Sequence, residues 1–269
     1  MLIPFHDDNP TLRTSWVTIS LAVTNVVVFV YMLTLPTLQR QEFYATWGFV
    51  PKRVAQAFDP NVEVEVPLAA VAVNGRQQQV KKFTIPPNRP QFFATLITCM
   101  FLHGGWLHLA GNMLFLWVFG NNVEDRLGHG IFLLFYLVGG LLASACHWAI
   151  AANTPAALLP TVGASGAVAA VLGAYAVTYP TARVKTFVFL FIITVIELPA
   201  MLVLGLWFLM QLLSGLNVLN NVDLDGGVAF WAHIGGFVAG LLLMPLLCFG
   251  SSKPGQSLDD EMHERFTIE

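Results

Sequence analysis

Charge is what this sequence has least of. Asp, Glu, Lys and Arg make up 11% of its 269 residues, where a soluble domain carries about a quarter. Hydrophobic residues reach 56% and mean hydropathy is +0.66, which excludes a single water-soluble core and makes the bilayer the solvent. Long basic runs are absent too. With a formal net charge of -3 and nothing longer than Lys81-Lys82, there is no electrostatic footprint for a nucleic-acid backbone. Cysteine is scarce: Cys99, Cys146 and Cys248 lie in apolar stretches at unrelated spacings, which supports neither a disulfide scaffold nor a zinc site and marks them as small core hydrophobes. Internal repeats are missing, which argues against an inverted-repeat transporter.

What is present is a series of apolar runs. A transmembrane helix needs about 20 such residues, and residues 16–35, 93–119, 131–151, 161–179 and 228–249 each supply one. Residues 186–214 are too long for one span and carry Glu197-Leu198-Pro199 in their middle. An ionised Glu at mid-bilayer costs about 2.5 kcal/mol or more, so Glu197 belongs at the surface. The fifth of six spans then starts near Pro199, and 187–196 becomes an interfacial or re-entrant segment. Arg126, Arg183 and Lys185 fall in the loops after spans 2 and 4, whereas those after spans 3 and 5 have no Lys or Arg. Basic residues stay on the cytoplasmic side, which places both termini there, although the seven Lys/Arg between spans 1 and 2 oppose this reading. The expected organisation is a short cytoplasmic N-terminus (1–15), a six-helix domain (16–249) and an acidic cytoplasmic tail (250–269). A long first extracytoplasmic loop (36–92) holds alternating runs at 62–66 and 80–85 around Asn74-Gly75, the signature of a β-hairpin. The N-terminus carries Asp7 and Asp8 and reads as neither a signal peptide nor an Arg-rich transit peptide.

Polar side chains within spans are functional candidates by default. Span 2 holds His103, His108 and Asn112; His108 and Asn112, four apart, share one face. Span 4 opens Gly163-Ala164-Ser165-Gly166 and span 6 opens Trp231-Ala232-His233-Ile234-Gly235-Gly236. Spans 2, 4 and 6 all start on the extracytoplasmic side, so the three clusters meet at one depth. Ten of the fourteen residues in 163–176 are Gly, Ala or Ser, and Gly236 and Gly240 form a small-xxx-small pair, so spans 4 and 6 are able to cross closely. Taken alone, Gly-Ala-Ser-Gly is ordinary small-residue packing and His233 a structural histidine. Together at matched depth they suit acyl transfer: Ser165 as nucleophile, His233 as its base, and His108, Asn112 and the Ser165 backbone N–H as donors to an oxyanion. No Asp or Glu lies in the core of any span, which predicts a Ser-His dyad without a third carboxylate.

These motifs, His103-Gly-Gly-Trp-Leu-His108-Leu-Ala-Gly-Asn112, Gly163-Ala164-Ser165-Gly166 and Ala232-His233-Ile234-Gly235-Gly236, together with Val123-Glu124-Asp125-Arg126-Leu127-Gly128, resemble those of the rhomboid intramembrane serine proteases. The resemblance covers roughly 93–249. It implies an all-α membrane protein with a six-helix rhomboid bundle and no cofactor. It also implies Ser165 and His233 as the catalytic pair, His108 and Asn112 in the oxyanion hole, and close backbone approach at Gly163. The substrate it implies is a transmembrane segment of another membrane protein, entering past span 5. Some members have an aromatic four residues after the nucleophile, stacked on the base; this chain has Ala169, so something else must hold His233. The first loop also lacks the Trp-Arg pair of some members.

The remaining histidines read as bystanders. On an ideal helix His103 points about 140° away from His108 and takes a structural hydrogen bond to a loop, His129 is exposed, and His147 is a satisfied core residue. A metal site from His103, His108 and His233 lacks any carboxylate or thiolate at that depth. The rival function is a catalytically inactive rhomboid-like protein that binds membrane proteins, against which Ser165 and His233 together argue. The expected location is the plasma membrane of a bacterium, with the bilayer and transmembrane substrates as partners.

Overall fold

In hydrocarbon, backbone N–H and C=O groups have no water to bond, so long apolar runs are forced into helix. The computed structural model describes residues 2–59, 61–68, 81–189, 193–220 and 229–248. Its helices are α1 (Trp16–Thr34), α2 (Thr37–Trp47), α3 (Arg89–Thr98), α4 (Trp106–Leu127), α5 (His129–Ala151), α6 (Ser165–Thr178), α7 (Ala200–Asn220) and α8 (Phe230–Cys248). The described residues are mostly helical, consistent with the expected all-α membrane fold, with two small sheets added. Strands β1 (Leu2–Asp7), β4 (Arg183–Phe189) and β5 (Ile193–Pro199) form an antiparallel sheet in the order β1-β4-β5, and β2 (Val64–Pro67) pairs with β3 (Lys82–Ile85).

Four helices, α1, α5, α7 and α8, are long and apolar enough to cross a bilayer. The stretch expected to be one span, 93–119, is broken. The segments Arg89–Phe101 and Trp106–Leu127 bend by 81° about a short break, where Gly104-Gly105 offers no side chain to hold a helix together. Counting that bent pair as one span gives five. The region expected as span 4 contains only the 14-residue α6. This helix is buried on every side from Gly166 to Ala176, as a helix without a polar face must be, and it packs against α4, α5 and α8.

Of the segment expected to be interfacial or re-entrant, residues 187–189 and 193–196 are strand. Their β-branched and aromatic side chains favour strand, and β5 ends at Pro199, immediately before α7 begins. Glu197 is exposed, as expected, and lies opposite Lys185. The N-terminal segment, expected only as a short cytoplasmic terminus, adds the third strand, from Leu2↔Val188 to Asp7↔Val184. In the first loop, Val64 pairs with Ile85 and Val66 with Phe83; Val64, Val66, Leu68 and Ile85 bury with Ala45 and Val50 in a small second core. The Asn74-Gly75 turn and the acidic tail lie outside the described residues.

The Val123–Gly128 run does structural work at the end of α4. Ser15, at the N-cap of α1, makes no side-chain cap. Instead the buried Glu124 carboxylate accepts from the Val17 N–H at 2.9 Å, the Thr18 N–H at 2.7 Å and the Thr18 hydroxyl at 2.6 Å, satisfying a helix start with an anion from another helix. Its Oε1 also pairs with His129 Nδ1 at 2.6 Å, so His129 is not merely an exposed residue. Asp125 accepts from the backbone of Leu12 and Arg13. Asp7 accepts from Tyr175 Oη–H at 2.6 Å and from Asn122 Nδ2 at 2.8 Å, tying β1 to the far end of α6.

Candidate active site

Three helices begin at one end of the bundle, α4 at Trp106, α6 at Ser165 and α8 at Phe230, and each carries a polar group in its first turns. A helix start has free N–H groups and a partial positive charge, so the convergence makes a place suited to developing negative charge.

Because the chain breaks at Gly104-Gly105, His103 is not on the α4 helix and does not point away from His108. The two rings meet edge to face with centroids 5.1 Å apart. Asn112 Nδ2 donates to His103 Nε2 at 2.9 Å, and the His103 carbonyl accepts from Tyr44 Oη–H at 2.6 Å. The bond expected to run from His103 to a loop thus goes to Asn112, a candidate site residue.

Gly163 sets the approach to Ser165. Its φ of +128° is open only to glycine, and its N–H donates to the Cys99 carbonyl at 2.9 Å. A Cβ there would lie 2.6 Å from His108 Nε2 and 3.5 Å from Ser165 Oγ, so imidazole and hydroxyl flank one α-carbon. Glycines also set the α6–α8 crossing: a Cβ on Gly236 would collide with the Gly166 carbonyl, and one on Gly240 with the Ala170 carbonyl. Gly166 faces α5 as well, 2.7 Å from Ala143 Cβ by the same construction. Ser165 and His233 therefore stand on helices whose backbones touch within one turn of each residue. Among the described residues no hydrogen bond joins Ser165 Oγ to His233, a contact that in free enzymes is often long and tightens with substrate bound.

His233 is held elsewhere. Its Nδ1 lies 2.8 Å from Gln211 Oε1 on α7, with the Trp207 ring centroid 6.0 Å away and that of Phe230 6.3 Å away. Gln211 and Trp207 escape a reading that screens spans for charge, because neither is charged; the available signal is a long polar side chain in the middle of an apolar helix. His108 and His147 lie within electrostatic reach of His233. His147 is not satisfied, for its Nδ1 is buried with no hydrogen-bond partner among the described residues. No three His, Cys, Asp or Glu side chains gather in a metal-binding arrangement among the described residues.

Comparison with known proteins adds a family. Residues 90–249 match the Rhomboid domain, a stretch that contains every residue of this cluster except Tyr44. The chain is 29% identical over 168 residues to the presenilin-associated rhomboid-like protein A, mitochondrial, of Danio rerio, covering 60% of this chain and 39% of that protein. It is 30% identical over 149 residues to rhomboid protein 1, mitochondrial, of Saccharomyces cerevisiae, covering 55% and 40%. A shorter match, 42% over 79 residues, is to rhomboid protease GluP of Bacillus subtilis, covering 29% and 14%. The chain thus spans about two fifths of the length of the first two relatives. Both are named as mitochondrial, so the expected assignment to a bacterial plasma membrane is not supported; what stands is an integral, multi-pass membrane protein.

Proposed function

The chain belongs to the rhomboid family, and from that premise and the converging helix starts we propose that it is an intramembrane serine endopeptidase cutting transmembrane segments of other membrane proteins. The observation that carries this reading is Gly163: in a glycine-only conformation it leaves empty the point where a Cβ would lie 2.6 Å from His108 Nε2 and 3.5 Å from Ser165 Oγ. That leaves room for a scissile carbonyl within reach of both a nucleophile and a donor.

In the proposed reaction His233 Nε2 takes the Ser165 hydroxyl proton as Oγ attacks the carbonyl carbon. The oxyanion accepts from the Ser165 backbone N–H, from His108 and from Asn112. Asn112 has two amide hydrogens, one directed at His103 and one left for the oxyanion. The tetrahedral intermediate expels the amine, which receives the proton from His233; water then hydrolyses the acyl ester by the same transfers in reverse roles. The bent α3–α4 pair and α6 complete six spans in this reading, with both termini on the side opposite the site. Purified protein in liposomes, given a model transmembrane substrate, tests the proposal: wild type cleaves it and folded Ser165→Ala does not. Cleavage by folded Ser165→Ala would overturn it.

A further inference from the structure

A dyad base has two ring nitrogens and needs the right one free. His233 Nδ1 is taken by Gln211 Oε1 at 2.8 Å, and an amide carbonyl at that distance accepts an N–H. We infer that Gln211 is the positioning residue of the base: it holds Nδ1–H, so the lone pair of His233 sits on Nε2, the atom that takes the serine proton. This rests on the protease reading above.

The geometry around Gln211 supports a built support and not a chance contact. Trp207 and Gly215 lie one turn before and one turn after it, on the same face of α7. Trp207 contacts the rings of His233 and Phe237 at 6.0 Å each. A Cβ on Gly215 would stand 3.3 Å from Ile234 and 3.4 Å from Trp231. Phe208 stacks on Phe237 with centroids 4.7 Å apart. The 207–211–215 face is thus seated along the first two turns of α8, and its single polar group meets the base. No Asp or Glu occurs in α6, α7 or α8. A carboxylate at this depth would add the cost of burying a charge, whereas an amide fixes the tautomer and ring angle without one. The nucleophile stands on α6 and the support of its base on α7, so the position of α7 bears on catalysis.

The titratable groups within electrostatic reach of His233 are His108 from α4 and His147 from α5, and the Cys146 thiol of α5 packs against Gly235, two residues further along α8. α7 contains none, and α6 only Tyr175, ten residues from Ser165 and about 15 Å along the helix axis. A carboxylate introduced at 211 would therefore be the one anion beside the ring, and it would favour the protonated imidazole.

The experiment compares wild type, Gln211→Leu and Gln211→Glu in liposomes. It reads kcat and KM on a model transmembrane substrate, labelling of Ser165 by a fluorophosphonate, and the pH profile of both. Gln211→Leu should lower kcat and labelling rate about 10- to 100-fold, the cost of a misaligned catalytic group, with KM unchanged. Gln211→Glu should retain more activity than the leucine variant and move the acidic limb of the profile to higher pH by about one unit. A merely structural glutamine predicts no movement of that limb. Wild-type kcat in Gln211→Leu, or an unmoved limb in Gln211→Glu while wild type labels and cleaves, overturns the inference alone. A wild type that neither labels nor cleaves overturns the protease reading and this inference with it. If one variant does not fold, the other decides.

Discussion

At the scale of the residue, the proposed oxyanion donors His108 and Asn112 are the groups whose loss is most informative. Such donors act on the transition state, so their removal lowers kcat with little change in KM. Each of His108→Ala and Asn112→Ala should cost about 100-fold in kcat. His103→Ala should cost less than Asn112→Ala, because His103 only steadies the amide it accepts from. A change confined to KM in either donor variant would make these residues substrate contacts instead. Asp7 offers a separate test at the other end of the molecule. Burial pushes its carboxyl above the usual aspartate value, opposed by the hydrogen bond from Tyr175 and the charge of His6. A raised acid is protonated in the folded chain while still ionised in the unfolded one, so it contributes stability at low pH that is lost as pH rises through the folded value. Asp7→Asn keeps an oxygen for both donors and removes the charge. Thermal unfolding in detergent should find this variant at least as stable as wild type at pH 7 and without the decline just above the ordinary aspartate range. A lower melting temperature for Asp7→Asn at pH 7 would contradict this account.

At the scale of the element, Glu124 substitutes for the cap that α1 lacks. Glu124→Ala leaves two backbone N–H groups and a buried hydroxyl without their acceptor, and should lower stability by about 1–3 kcal/mol, measured by unfolding in detergent. Stability equal to wild type would mean that water caps α1 as well. The elements also mark where sequence reading stops. His108, Asn112, Ser165 and His233 are legible because polar residues are rare in apolar helices, and the starts of spans 2, 4 and 6 put them at one depth. The bend before α4 is not legible, because the charge-free run continues straight through Leu102-His103-Gly104-Gly105; an ideal-helix projection therefore turns His103 away from His108 and Asn112. The β4–β5 hairpin is hidden by the same property, since the 29-residue apolar stretch 186–214 is equally compatible with a span. The partner of β1 lies some 180 residues away in sequence, where no local pattern reaches. Gln211 is invisible to a search for charges.

At the scale of the whole molecule, the arrangement is two-ended. The starts of α4, α6 and α8 carry the candidate chemistry, and the other end is tied by Glu124, Asp125, Asp7 and the β1-β4-β5 sheet. A histidine base must be neutral to take a proton, so activity should not fall between about pH 5 and about pH 8, its rise with pH running through an apparent pKa at or below the ordinary imidazole value of about 6.5. A steady fall across that range, measured on the same liposomes, would exclude His233 as base. The central claim is that Ser165 and His233 act as one unit. Its most direct test is the cleavage rate of a model transmembrane substrate by wild type, Ser165→Ala, His233→Ala and the double variant, each shown to be inserted and folded. Both single variants should lose cleavage, with the double variant no slower than either; substantial cleavage by folded Ser165→Ala would contradict serine catalysis.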